Sequence, residues 1–290
     1  MKAWIVYHRN DSIKNKRYIE FYKEEGKLRG IDFSLVLIEE VKFGVKHGKR
    51  YLEVNGEQVE RPDFIVNRSI HPLLVKQFEC FNIPVFNNAK VCEICNNKAL
   101  TYQYVSQLGI PMVDSYFYEN EQYEECISKL PDDQYVIKAV AGHGGSQVFL
   151  YNQNDKGNIS VGLNGADFVL QPLTGSRHQD VRVYVIGNRI IAAVQRTALS
   201  GFKSNFSLGG DVCLYSLSKE EEEIVYSICN LFEFGMVGID FIIGDQSEFI
   251  FNEIEDVVGA RMLYQCSDLN LVGIYLDFIV EKLKCFEQIK

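Results

Sequence analysis

The chain has 290 residues, of which 47% are hydrophobic and 12% aromatic, so it can bury a large core in two or three modest domains. Its 39 acidic residues exceed its 30 basic residues, and the formal charge of −9 argues against a protein that binds nucleic acid through the phosphate backbone. No run approaches about 18 uncharged apolar residues, so we expect no membrane-spanning segment and no membrane partner.

The eight cysteines are scattered along the chain, and the N-terminal segment has the pattern of a strand rather than of a signal peptide. We therefore expect a cytoplasmic protein with reduced thiols. Cys92 and Cys95 form one C-x-x-C pair, but no second pair stands at the spacing of a zinc site. Helix packing explains this pair better than redox chemistry does.

The first 95 residues alternate between strand and helix patterns, which predicts an α/β domain. The sequence EVNGEQV predicts a hairpin that turns at Asn55-Gly56. A longer helix is predicted over residues 91–108 and ends at Gly109. The other predicted elements are strands over residues 3–8, 33–39 and 63–68, and helices over about 13–28 and 73–81.

Paired strand patterns dominate after Pro111, and they predict antiparallel sheets. The strongest signals in this part are two hairpins and two helices. The hairpins are predicted to turn at Gly187-Asn188 and at Gly244-Asp245. One helix is predicted to begin at Lys219, because Ser218 and Glu221 stand at capping-box spacing, and the other is an amphipathic helix over 271–283.

Lys138 interrupts an apolar strand pattern, and a loop of small residues at 141–146 follows it. Burying an unpaired ammonium group is costly, so a lysine in this position favours an anionic partner. The three glycines of the loop allow backbone N–H groups to approach and cradle phosphates. Together these features favour a nucleoside triphosphate site, although a tight hairpin with Lys138 reaching the surface is an equal alternative. The residue order matches neither a Walker loop nor a dinucleotide fingerprint.

Three carboxylates lie on two further apolar strand patterns. Asp240 stands in VGIDFII, and Glu253 and Glu255 stand two positions apart, on one face, in EFIFNEIED. Carboxylates that converge repel one another unless a cation lies between them, and such oxygen ligands suit Mg²⁺ bound with substrate phosphates. An exposed acidic rim is the alternative, but the strands are otherwise too apolar to fit it well.

These segments, in this order, resemble an ATP-grasp ligase and most closely the RimK-type carboxylate–amine ligases, over about residues 60–260. The resemblance implies a mixed α/β (α+β) protein with the ATP-grasp fold, in which two α+β subdomains enclose the nucleotide. The implied divisions are a Rossmann-like pre-ATP-grasp domain at 1–95, a small lid subdomain at 96–170 and a metal-binding subdomain at 171–290. The segments that carry it are NKALTYQYVSQLGIP, VIKAVAGHGGSQV, VLQPL, DVRVYVIGNRIIAAVQR, KSNFSLGG, VGIDFII and NEIED.

The resemblance also implies the residues that bind ATP and metal. Lys98 and Lys138 would contact the nucleotide, with Lys138 on the side of the α-phosphate and adenine. The loop that closes over the β- and γ-phosphates would be Gly142, His143, Gly144, Gly145 and Ser146. The hinge whose backbone reads adenine would be Gln171, Pro172 and Leu173. Two Mg²⁺ ions, or Mn²⁺ in their place, would be held by Asp240, Glu253 and Glu255.

Further positions carry over to the chemistry and the substrates. Arg196 and Asn205 would face the transferred phosphate and the acyl intermediate, together with Lys138. The substrate side would include Arg68, Arg182, Lys203 and Arg261, although a structural salt bridge is an equal alternative for Arg261. Two departures stand out. Glu255 occupies a position where the family usually has Asn, and DVVGARMLY replaces a loop of the Ser-Pro-Gly type.

The implied function is an ATP-dependent carboxylate–amine ligase that forms an amide or peptide bond through an acylphosphate. Its substrates would be an amino acid, a small peptide or a peptide tail, and such proteins are often homo-oligomers. Two alternatives stay open at this point. One is an ATP-dependent small-molecule kinase on the same scaffold, and the other is a non-catalytic nucleotide-binding regulatory protein.

Overall fold

The computed structural model describes residues 1–58, 60–131, 134–145, 147–151, 153–175, 179–197 and 211–288. These residues form a mixed α/β protein whose larger sheets follow one another along the chain. Among the helices of the described residues, none combines the length and hydropathy that a membrane crossing needs.

The N-terminal part contains a parallel sheet in the order β2-β1-β5-β6 and a separate antiparallel hairpin, β3-β4. The central strand β1 is buried on both faces, which explains its continuous apolar run. The strands are β1 Lys2–Tyr7, β2 Asp32–Leu37, β3 Val41–Lys46, β4 Lys49–Val54, β5 Phe64–Asn67 and β6 Val85–Phe86. The helices are α1 Arg9–Lys14, α2 Lys16–Leu28, α3 Pro72–Cys80, α4 Ala89–Cys95 and α5 Lys98–Ser106.

Three N-terminal predictions are wrong in detail. The helix predicted from residue 13 begins at Arg9 and is interrupted at Asn15. The hairpin turns at His47-Gly48, whose φ angles are 51° and 73°, whereas Asn55-Gly56 forms a tight turn at the end of β4. The long helix is divided because the Asn97 side chain accepts a hydrogen bond from the Leu100 N–H and so starts α5 as a new helix.

The middle part is an antiparallel sheet in the order β7-β10-β8-β9. Strands β8 and β9 confirm the predicted strand pair on either side of the glycine loop. The elements are β7 Tyr116–Tyr118, α6 Tyr123–Ser128, β8 Tyr135–Ala139, β9 Val148–Leu150, α7 Lys156–Leu163 and β10 Phe168–Pro172.

The C-terminal part is an antiparallel sheet in the order β13-β12-β11-β14-β15. The predicted turn at Gly187-Asn188 and the capping box of Ser218 and Glu221 are confirmed. The strands are β11 Gln179–Ile186, β12 Arg189–Thr197, β13 Asp211–Leu214, β14 Met236–Ile243 and β15 Phe249–Glu255. The helices are α8 Lys219–Cys229, α9 Arg261–Cys266 and α10 Leu271–Gln288.

One core cluster joins the two ends of the chain, because Ile5 and Tyr22 pack in the same group of buried residues as Tyr184, Tyr275 and Leu276. The N-terminal parallel sheet is therefore held against the C-terminal sheet by apolar contact. The predicted divisions at 1–95, 96–170 and 171–290 stay predictions.

Cys92 and Cys95 are buried in α4 and carry free thiols. Burial raises the pKa of both thiols, and the nearby Asp256 raises it further. Thiols with raised pKa values are poor nucleophiles, so the geometry agrees with the packing interpretation of the C-x-x-C pair.

Candidate active site

A cleft of about 1650 Å³ is lined by residues from all three sheet regions. This volume exceeds that of ordinary single-ligand pockets and has room for a nucleotide beside a second molecule. The predicted nucleotide-binding residues that the structure describes all line it, from Lys98 to Leu173. The predicted residues Arg68, Arg182, Arg196, Glu253, Glu255 and Arg261 line it as well. Ser146, Lys203 and Asn205 lie outside the described residues, so their roles stay predictions.

Lys138 lies on β8 and is half-buried, and its Nζ atom donates a hydrogen bond to Asn252 Oδ1 at 2.9 Å. Burial lowers the pKa of Lys138 to about 8, while the charge of Glu253 opposes this shift and that of Lys98 reinforces it. Among the described residues no carboxylate forms an ion pair with Lys138. The positive charge is thus held by a neutral amide and stays available to an anionic ligand in the cleft.

The glycine loop is tied to the start of α5. Lys98 Nζ donates to the Gly142 carbonyl at 2.5 Å, and the Lys98 backbone N–H donates to the Val140 carbonyl at 3.0 Å. Gly144 and Gly145 adopt φ angles of 62° and 72°, in the left-handed region where a side chain would be strained. The loop therefore depends on glycine for its shape, and Lys98 holds it over the cleft.

The predicted adenine hinge lies where β10 pairs with β8. Gln171 is buried, and its side-chain amide donates to Ser115 Oγ at 2.8 Å, so this side chain stabilises the strand. The Leu173 N–H donates to the Gln134 carbonyl at 2.6 Å. These hydrogen bonds to Ser115 and Gln134 hold the hinge in place. Its contact with adenine stays a prediction.

A buried charge network follows from the strand registers. The pairing of β11 with β14 places Arg182 opposite Asp240, and the pairing of β11 with β12 places Asp180 opposite Arg196. Arg182 donates to both Asp240 carboxylate oxygens, each at 2.7 Å, and Arg196 donates to Asp240 Oδ2 at 2.8 Å. Arg196 also forms a two-pronged ion pair with Asp180. Arg182 Nη1 lies 2.5 Å from Glu255 Oε2.

This network sets the charges of its carboxylates. Burial alone would raise the pKa of Asp240, but Arg182 and Arg196 together lower it well below its usual value. Part of the Glu255 side chain is exposed, yet its Oε2 atom is buried. Burial raises the pKa of Glu255, and Arg182 opposes that shift. Asp240 therefore stays ionised and fixes both guanidinium groups at the edge of the cleft.

A bulge in β15 brings an unpredicted residue into the site. Asp240 pairs with Glu253 and Phe241 pairs with Phe251, so Asn252 is an extra residue between two pairs. Asn252 and Glu253 both line the cleft, as do the four residues that follow them. The signal was present in FIFNEIE, where two consecutive polar residues break the alternation of a half-buried strand.

The predicted metal ligands are not brought together as a group of three. Within the described ranges, no three His, Cys, Asp or Glu side chains are placed to hold one metal ion. Asp240 is occupied by two arginines and does not line the cleft, whereas Glu253 and Glu255 do. Mg²⁺ commonly takes one or two carboxylates together with substrate phosphates, so the donor set at Glu253 and Glu255 fits this ion. The ligand role of Asp240 stays a prediction.

The substrate-side arginines differ in burial. Arg68 is buried, and Arg261 is exposed at the first position of α9. In the part of the chain that the structure describes, Arg261 has no ion-pair partner, so the alternative of a structural salt bridge finds no support there.

Comparison with known proteins agrees with this geometry. Residues 95–279 match the model of the RimK-like ATP-grasp domain family. The chain is 26% identical to human β-citrylglutamate synthase B, covering 97% of this chain and 78% of that protein. It is 24% identical to a probable α-L-glutamate ligase of Vibrio vulnificus, covering 90% and 91%. A solved structure of the ATP-grasp ligase PsnB with a minimal precursor, Mg and ADP has a TM-score of 0.67 at 16% identity, covering 97% of both chains.

The predicted ATP-grasp fold and the predicted ligase class are therefore confirmed at the level of the family. The glycine loop, the lysines beside it and the carboxylates of β14 and β15 occur in the matched region and line or border a single cleft. By its sequence and by its fold, the chain belongs to the RimK-like ATP-grasp family.

Proposed function

We propose that the protein is a Mg·ATP-dependent carboxylate–amine ligase that acts on an amino acid or a peptide. The observation that carries the proposal is the state of Lys138, whose ammonium group lacks a carboxylate partner among the described residues and lies beside the glycine loop. A cation held in this way, next to backbone N–H groups, suits a phosphate chain. Glu253 lines the same cleft, and its carboxylate would help to hold a divalent cation that offsets phosphate charge.

The proposed reaction has two steps. The substrate carboxylate attacks the γ-phosphorus of ATP, and the bond between this phosphorus and the β-phosphate oxygen breaks. The products of this step are an acylphosphate and ADP. The amine then attacks the acyl carbon and loses a proton, and inorganic phosphate departs with the former carboxylate oxygen. The product is lighter than the sum of acid and amine by one water. Neither step requires a nucleophile from the protein, so catalysis depends on positioning and charge stabilisation.

The side chains have distinct proposed tasks. Lys138, Lys98 and the glycine loop bind the phosphate chain, and Arg196 faces the phosphoryl group as it moves. Asp180 and Asp240 hold the two arginines in place before the substrate arrives. Glu253 and Glu255 would hold Mg²⁺, which would supply positive charge to stabilise the phosphate chain during transfer.

L-Glutamate is the first amine to test. Two relatives are named for a glutamate product or a glutamate ligation, and Arg68 and Arg261 supply cations for its carboxylates. The acid substrate, the number of metal ions, the use of Mn²⁺, the homo-oligomer and the cytoplasmic location stay predictions.

The test is phosphate release from Mg·ATP by the purified protein, with L-glutamate, other amino acids, dipeptides and citrate offered singly and in pairs. Release that depends on a pair, with a product lighter by one water in the mass spectrum, supports the ligase. A phosphorylated acid formed without any amine would identify a kinase instead. Nucleotide binding without release in any mixture would identify a regulatory protein, and either result overturns the proposal.

Substitutions connect this activity to the site. Lys138→Ala and Glu253→Ala should each nearly abolish pair-dependent release while the circular dichroism spectrum is unchanged. Glu281→Ala is the matched control, because it removes an exposed carboxylate from α10. A folded Glu253→Ala protein with full activity would contradict the metal assignment.

A further inference from the structure

Asp256 follows β15 directly, and one of its carboxylate oxygens finds no hydrogen-bond donor among the residues that the structure describes. The residue is 2% exposed and lines the cleft. Its Oδ1 atom accepts a hydrogen bond from Asn96 Nδ2 at 2.9 Å, whereas the buried Oδ2 atom has no hydrogen-bond partner in the described ranges. A buried acceptor without a donor costs free energy, so a donor is expected from a ligand.

Asn96 and Asn87 fix Asp256 in this position. Asn96 also donates to the Cys92 carbonyl at 2.7 Å, and Asn87 Nδ2 donates to the Asp256 carbonyl at 2.9 Å. Asp256 is buried, so water solvates its carboxylate poorly. The carboxyl group is therefore held rigidly and is poorly solvated, a state that a positive partner would relieve.

Arg68 has the complementary deficiency. It is 5% exposed, lines the same cleft, and within the described residues donates only to neutral groups. These are the Tyr7 hydroxyl at 3.3 Å and the carbonyls of Val257 and Val258 at 3.3 and 2.9 Å. No carboxylate of the described residues forms an ion pair with Arg68. A buried guanidinium group with neutral partners is suited to an incoming carboxylate.

The two charges are neighbours without being paired. Arg68 binds the carbonyls of the two residues that follow Asp256, so one short segment, 256–258, positions both groups. An ion of one sign would satisfy one group and repel the other. A molecule that carries both an ammonium and a carboxylate group would satisfy both.

We propose that Asp256 and Arg68 form a subsite for a zwitterionic α-amino acid, in which Asp256 Oδ2 accepts a hydrogen bond from the α-ammonium group and Arg68 donates to the α-carboxylate. Asn96 is a positioning residue that orients Asp256. The subsite rests on the proposed ligase function and identifies the class of its amine substrate.

The test compares ligands that differ by one group. L-Glutamate and glutarate have the same carbon chain and two carboxylates, but glutarate lacks the ammonium group. Binding of each is measured by calorimetry to the full chain in the presence of Mg·ADP. The wild type should bind L-glutamate at least about tenfold more tightly than glutarate, the size expected for one charge-assisted hydrogen bond.

Two variants locate the preference. Asp256→Asn should bind L-glutamate and glutarate equally, and Asp268→Asn should behave as the wild type. Asp268 is the matched control because it is an exposed acid that lines the same cleft. If the preference persists in Asp256→Asn, or if the wild type shows none, the subsite is overturned.

A second measurement needs only the wild type, in case Asp256→Asn does not fold. N-acetyl-L-glutamate has no ammonium group and should bind as weakly as glutarate, so binding as tight as that of L-glutamate overturns the subsite. The outcomes separate the two proposals. Pair-dependent phosphate release with an amine that is not an α-amino acid, without L-glutamate binding, refutes the subsite and keeps the ligase. A preference for L-glutamate without release in any mixture keeps the subsite and refutes the ligase.

Discussion

Asp240→Asn provides a direct test of how the site is built. Asp240 is 1% exposed and accepts three hydrogen bonds, two from Arg182 and one from Arg196. The substitution removes the negative charge and places an amide N–H₂ group against guanidinium donors. Both arginines are buried, and in the described part of the chain they keep only Asp180 and Glu255 as carboxylate partners.

The expected loss is large. Removing one member of a buried ion pair leaves the other charge without compensation and typically costs about 3–5 kcal/mol. We expect Asp240→Asn to lower the free energy of unfolding by about this amount. Glu125→Gln is the control, since Glu125 and its partner Lys129 each have side chains that are 71% exposed. An exposed pair contributes little, so the control should unfold as the wild type does.

The sign of the effect distinguishes two roles of Asp240. If Asp240 mainly held a metal ion among other carboxylates, its charge would be repelled in metal-free protein, and its removal would stabilise the fold. If it mainly holds the arginines, its removal destabilises the fold with or without metal. The assay is therefore urea unfolding in EDTA, followed by circular dichroism and by fluorescence. A midpoint for Asp240→Asn at or above that of the wild type would refute the ion-pair role.

The remaining predictions concern Lys138, its amide partner and the thiols. Since the pKa of Lys138 is lowered to about 8, the free protein has this group charged below pH 8 and neutral above it, and ADP affinity should fall above pH 8 by up to about tenfold per pH unit. Lys138→Met should bind ADP weakly and without this dependence. Asn252→Ala removes the hydrogen bond to Lys138 and should raise the Kd of ADP about fivefold in displacement of a fluorescent analogue. Ellman's reagent should react rapidly with Cys213 and Cys285, which are exposed, and with the buried thiols only after unfolding.

Each of these three predictions has one outcome that would contradict it. An ADP affinity that is constant from pH 7 to about pH 10 in the wild type would show that Lys138 does not meet the nucleotide. An unchanged Kd in Asn252→Ala would show that the amide does not orient Lys138. Rapid labelling of Cys92 or Cys95 in the folded protein would contradict their role in packing.

Local patterns were sufficient for much of the fold and for part of the site. The strand pair around the glycine loop, the turn at Gly187-Asn188 and the capped helix at Lys219 depend on residues within a few positions of one another. The same holds for the shape of the glycine loop, where Gly144 and Gly145 adopt the left-handed φ angles that glycine permits. The sequence does not reveal the helix boundary at Asn97, because asparagine occurs both at helix N-caps and, at a small cost in stability, inside helices.

The order of residues along the chain was sufficient to predict which chemistry-bearing side chains lie on which strands, and with them the family. Which of these side chains contact one another depends on how the strands assemble. Asp240 is held by Arg182 and Arg196 because three antiparallel strands align in one register, and Asn252 reaches Lys138 because a bulge adds one residue to β15. Register and bulges are set by pairing between distant segments and by the burial of whole strand faces. A single strand pattern therefore cannot reveal them, and a buried charge finds its partner only when the sheet is assembled.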